Sequence, residues 1–185
     1  MPLEITFTLE EQDLDHFRGM MEAAQQRAEA LPEAEVATRA KALLESVAGN
    51  PRAPAFVVSR LKHLKALVAM LDDEDWQLAG EERTDVVSAL AYFYDPKDII
   101  DDSVPVLGLI DDAIMIELVS REMQQEIKAY EEFCVYRSRE ESNAPGKNIS
   151  REDWLDSKRR ELMDHMRNRM HNRVRGGRFT RFTFR

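Results

Sequence analysis

The stretch YFYDPKDIIDDSVPVLGLIDD, Tyr92 to Asp112, places six aspartates, two prolines and a glycine among otherwise apolar residues. A mixture of that kind suits neither an uninterrupted core helix nor a plain loop. It predicts a helix ending near Asp95, where Pro96 disfavours helical geometry in the residue before it, then a tight carboxylate-rich turn, then a second helix beginning on Asp111 and Asp112.

Working outward, the segments on either side carry helical periodicity. Thr8 and Glu11 have the form of a capping box, and Leu14, Phe17, Met21, Ala24, Ala28 and Leu31 then repeat at spacings of three and four. That stripe fits a bundle helix better than a coiled coil. Pro32 suits the first turn of a second helix reaching about Val47, and Gly49, Asn50 and Pro51 stop it. A third helix from about Pro54 to Leu71 carries a broad apolar face including Phe56, Val57, Leu61, Leu64, Leu67 and Val68, as a central element would. An acidic irregular segment follows, with one helical turn around Trp76. Thr84 then offers a cap for a fourth helix. From about Leu109 a single long helix is expected to reach Arg139, the longest of the chain. Ser142 to Asn148 reads as a linker, and Ser150 with Asp153 starts a last helix that Gly176 and Gly177 end.

These elements predict an all-α fold, a helical bundle of about six helices around a helical hairpin with an Asp/Pro-rich turn. The organisation expected is a helical domain over residues 1–141, a linker over 142–149, and a basic C-terminal helix and tail over 150–185. Only seven glycines and seven prolines in 185 residues argue against a many-stranded β fold. A single cysteine, Cys134, excludes an internal disulfide and a multi-thiolate zinc site, which together with the N-terminal sequence favours a cytoplasmic protein. The apolar run Val104–Val119 is interrupted by Gly108, Asp111, Asp112 and Glu117, too short and too charged to span a bilayer.

Charge is distributed unevenly. The chain has a net charge of −9, yet from Ser157 to Arg185 ten basic residues face only Glu161 and Asp164. A basic end on an acidic body can bind a polyanion or fold back on its own body.

The order Tyr-x-x-Pro-x-Asp, Ile, Asp, Val-Pro-Val-Leu-Gly and Asp-Asp, carried by Pro96, Asp98, Ile100, Asp102, Val104, Pro105, Gly108, Asp111 and Asp112, resembles the YkvA-like family of bacterial proteins, a domain of unknown function (1232). The resemblance covers about Thr84 to Val119. Asp101 stands where that family usually has a proline, adding charge and flexibility to the turn. The resemblance implies a helical hairpin with Pro96, Pro105 and Gly108 as its structural motif, and brings no reaction, substrate or cofactor.

Candidate functional residues fall into two groups. Asp98, Asp102, Asp111 and Asp112 either cap turn amides and complement a helix N-terminus, hold a hard cation such as magnesium or calcium through oxygen ligands, or contact a basic partner. Arg173, Arg175, Arg178, Phe179, Arg181, Phe182, Phe184 and Arg185 combine phosphate-pairing guanidinium groups with rings able to stack on bases. No residue is assigned a catalytic role. His16, His63, His165 and His171 form no metal-ligand pattern, and Cys134 reads as core. The expected function is a non-enzymatic interaction or regulatory protein with a protein partner or a second copy of itself. The alternatives are a carboxylate metal site, with possible hydrolysis, and RNA or ribonucleoprotein binding through the tail.

Overall fold

The computed structural model describes residues 8–28, 31–50, 53–94, 109–142 and 151–175. Within them the chain forms seven α-helices and no strand: α1 (Glu11–Ala28), α2 (Glu33–Ala48), α3 (Ala55–Asp72), α4 (Gly80–Leu90) running on into a 3-10 turn (Ala91–Tyr94), α5 (Ile110–Glu122), α6 (Gln124–Ser142) and α7 (Arg151–Arg175). The all-α expectation holds.

Helix α3 is the hub, packing against α2, α4, α5 and α6. Its sequence explains why. Val57, Leu61, Leu64, Leu67, Val68, Met70 and Leu71 cover more of its circumference than a one-sided stripe and are all buried. Phe56, grouped with that face in the sequence, is instead 42% exposed, and its neighbour Val58 is 49% exposed. The α1 stripe does face inward. Met21 and Ala24 are buried and Leu14 and Phe17 pack against the core, because α1 lies on α4 and the 3-10 turn of its own chain.

Three boundaries differ from the sequence reading. Helix α1 is capped two residues later than the Thr8–Glu11 box. The Glu10 N–H donates to the Asp13 carboxylate at 2.8 Å, while the Glu10 carbonyl accepts from Asp13 and Leu14. Either pair, Thr8 with Glu11 or Glu10 with Asp13, can satisfy free amides, and the bond forms at the one nearer the apolar stripe. Helix α4 starts at Gly80 rather than at Thr84, whose hydroxyl donates to the Gly80 carbonyl from inside the helix. Gly80 has φ of 64°, a left-handed conformation that glycine adopts without strain, and it swings the chain from the preceding loop into the helix.

The expected long helix is broken at Met123, which has φ −87° and ψ 19°. The Met123 N–H still donates to Val119, and its carbonyl still accepts from Ile127, so the ladder bends with little loss of hydrogen bonding. No proline or glycine marks the spot. The longest helix is therefore α7, with 25 residues, and the break accounts for seven helices rather than about six. Leu155, Leu162 and Met166 form a buried stripe on α7, which packs along α6. The linker expected over 142–149 lies outside the described residues, apart from Ser142, the last residue of α6.

Candidate functional site: an acidic hairpin and a basic helix on one bundle

The two limbs of the hairpin are anchored to different parts of the bundle. The first limb, α4 with its 3-10 turn, sits on α1 and α2. Tyr92 is buried against the edge of Phe93, the Tyr94 hydroxyl donates to Glu35 at 3.4 Å, and the Arg39 guanidinium lies 5.9 Å from the centre of the Tyr94 ring. The second limb, α5, sits on α3 and α6 and buries Ala113, Met115, Ile116, Leu118 and Val119. Glu117 bridges these helices, 3.3 Å from Arg60 of α3 and 2.9 Å from Arg121 of its own helix.

Of the four candidate aspartates, Asp111 and Asp112 stand in the first turn of α5, as expected, where the positive end of the helix favours a carboxylate. Asp111 is buried at 3% exposure. Asp98 and Asp102, with Pro96, Pro105 and Gly108, lie outside the described residues. Among the described residues no group of three or more His, Cys, Asp or Glu is arranged to hold a metal ion.

The most perturbed polar groups lie elsewhere, where α3 ends. Asp73 accepts at Oδ1 from the backbone N–H of Asp75 (3.0 Å) and Trp76 (3.2 Å), closing the turn that follows the helix. The same carboxylate accepts from both terminal nitrogens of Arg137 on α6, at 2.8 and 2.9 Å, and from the Tyr130 hydroxyl at 2.9 Å. Arg137 adds a bond to Asp75 at 3.0 Å and covers the Phe133 ring at 5.3 Å. Beneath the cluster, Trp76 is completely buried against Tyr130 and Phe133. Burial pushes the Asp73 carboxyl up, but the bonds from Arg137 and Tyr130 outweigh it and hold the group below its ordinary range. Tyr130 is pushed well above its ordinary value by burial and by its bond to Asp73, and Arg137 is raised chiefly by donating to Asp73. Burial also raises the Cys134 thiol, which opposes formation of a nucleophilic thiolate and agrees with its reading as core.

A second polar hub fixes the start of α4. Arg83 makes a two-pronged pair with Glu33 of α2, and its remaining terminal nitrogen donates to the carbonyls of Leu71 (3.2 Å) and Leu78 (3.1 Å). The guanidinium borders a cleft of about 290 Å³ shared with Gln25, Leu31, Thr84, Val87 and Ser88.

These observations describe two helices, α4 with its 3-10 turn and α5, seated on a larger bundle, with Thr84 inside the first. Residues 84–118 match the family model described as a protein of unknown function, DUF1232. The match falls on the span read as YkvA-like from its aspartate and proline spacings. No curated protein and no solved structure matches the chain. The DUF1232 segment thus comprises most of α4, the 3-10 turn and most of α5, while α1, α2, α3 and α6 supply the surfaces on which it rests.

At the basic end, the body-facing part of α7 is docked. Arg167 donates to Glu82 of α4 at 2.5 Å, and Arg159 reaches the Asp75 carbonyl at 3.4 Å. Arg173 and Arg175 belong to the last turns of α7, but their side chains lie outside the described residues, as do Arg178, Phe179, Arg181, Phe182, Phe184 and Arg185. Sequence reasoning missed Asp73, Tyr130, Arg137 and Arg83. Their partners stand 50 to 64 residues away, and no local pattern announces such a pairing. No described helix is long and apolar enough to cross a membrane.

Proposed function

We propose that this chain is a non-enzymatic interaction or regulatory protein of the cytoplasm, which contacts macromolecular partners through its acidic hairpin and its arginine-rich end. The observation that carries this reading is the seating of α7. One apolar stripe of Leu155, Leu162 and Met166 fastens the helix to the body, while Arg160 and Arg167 remain 72% and 56% exposed. A basic surface is thereby held on a body whose opposite sign of charge discourages non-specific association. The polar groups with the most perturbed environments support the same reading. Asp73, Tyr130 and Arg137 satisfy one another and the turn around them.

A second reading is a magnesium or calcium site built from Asp98, Asp102, Asp111 and Asp112. One observation favours it: the Asp111 carboxylate, an oxygen donor suited to a hard cation, is buried at the head of α5.

Site-specific photo-crosslinking in cells tests the leading reading. A photoreactive residue placed at Asp101 in the hairpin or at Arg160 on α7 is expected to give discrete heavier adducts with one recurring partner. The same residue at Glu45, exposed on α2, is expected to give none. Adducts equally frequent at all three positions, or absent from the first two, would overturn it.

A further inference from the structure

The joint between α7 and the loop leading into α4 encloses a cleft of about 190 Å³, lined by Gln77, Glu82, Arg159, Arg160, Asp164 and Arg167 among others. Three of the lining residues are arginines of one helix, α7. Arg159 and Arg160 both donate to Asp156, at i−3 and i−4, so a single carboxylate holds the two side chains side by side. Arg167, two turns further on, is held by Glu82. Each guanidinium carries five N–H groups, and among the described residues these three spend them on just four bonds, to the Asp75 carbonyl, to Asp156 twice and to Glu82. Most of their donor capacity is left over. Gln77, another lining residue, has φ of 51°, unusual for a residue other than glycine.

From this we infer that the cleft binds a phosphate group. Planar guanidinium forks match phosphate oxygens, and here three of them are positioned by carboxylates before any ligand arrives, which lowers the ordering cost of binding. Glu82 and Asp164 also face the cleft and oppose an anion. Asp164 does so weakly, because at 70% exposure water and salt screen it. The site uses only residues of the body and of α7 up to Arg167, so it stands whether or not the C-terminal tail contacts a partner.

The test follows the side-chain Nε–H resonances of the full chain during titration at constant ionic strength, with inorganic phosphate in one arm and a short single-stranded oligoribonucleotide in the other. Saturable shifts confined to Arg159, Arg160 and Arg167 are expected in at least one arm, and the tighter arm names the source of the phosphate. Arg160→Gln should weaken binding at least fivefold without changing helix content, since Arg160 bonds only along its own helix. Asp164→Asn should tighten it. Shifts no larger than chloride produces in both arms, or an Arg160→Gln chain that binds as the parent does, would overturn the assignment.

Discussion

At the scale of the residue, Asp73 carries the largest share of the polar architecture. Its carboxylate closes the turn after α3 and receives Arg137 and Tyr130 from α6. Asp73→Asn should cost about 2 kcal/mol at neutral pH, the usual range for bonds to a charged group, measured by urea unfolding. The sign of its pH dependence follows from linkage. The folded carboxyl titrates below the unfolded one, so its stabilisation is present above about pH 4 and fades as pH falls through the folded value. The gap between parent and Asp73→Asn should therefore narrow on acidification below about pH 4. Tyr130→Phe removes one of the bonds that depress this carboxyl, and should move the acid limb of the stability profile to higher pH at a cost of about 1 kcal/mol. Trp76, with no exposed surface, is the corresponding apolar centre, and Trp76→Ala should cost about 3 to 5 kcal/mol. None of this was legible in sequence, where Asp73 is one acid in an acidic run.

At the scale of the element, periodicity carried the reading far. The stripes of α1 and α3, Phe56 apart, predicted which faces are buried, because burial at a 3.6-residue period leaves a direct trace in the order of residues. The boundaries were less legible, and for distinct reasons. Two pairs, Thr8 with Glu11 and Glu10 with Asp13, compete to cap α1, and only the geometry of entry decides between them. Gly80 at the head of α4 reads as a loop residue until its left-handed backbone is seen. The bend at Met123 leaves no mark, since an uninterrupted apolar repeat runs through it and the backbone bonds survive. Arg83 shows how one side chain sets the position of an element, joining α4 to α2 and to the carbonyls of Leu71 and Leu78. Arg83→Lys should lose about 1 to 2 kcal/mol despite keeping the charge, because an ammonium cannot serve a two-pronged carboxylate and two carbonyls together. Thermal unfolding of the two chains side by side measures this.

At the scale of the whole molecule, the sequence divides into an acidic body and a basic end, and within the described residues α7 of that end packs along α6. Apolar burial holds α7 more than charge does. The Arg167–Glu82 pair is half exposed and worth under about 1 kcal/mol, whereas Leu162→Ala should cost about 2 to 4 kcal/mol. Raising salt to about 1 M should accordingly leave the melting temperature close to its low-salt value, since screening at that strength reaches about 3 Å. Leu162→Ala should lower it by several degrees. The candidate hairpin was legible as a motif because its prolines and aspartates recur at fixed spacings. What its aspartates do was not, since capping, metal binding and partner contact all call for the same residue type.

That question is the sharpest test of the account, and melting the full chain with and without millimolar magnesium or calcium, beside Asp111→Asn, addresses it. If the hairpin carboxylates serve architecture and partner contact, neither cation should raise the melting temperature beyond what sodium chloride of equal ionic strength does. Asp111→Asn should then shift it by the same amount in every buffer. A cation-specific rise in the parent that Asp111→Asn abolishes would contradict the account and make the hairpin a metal site.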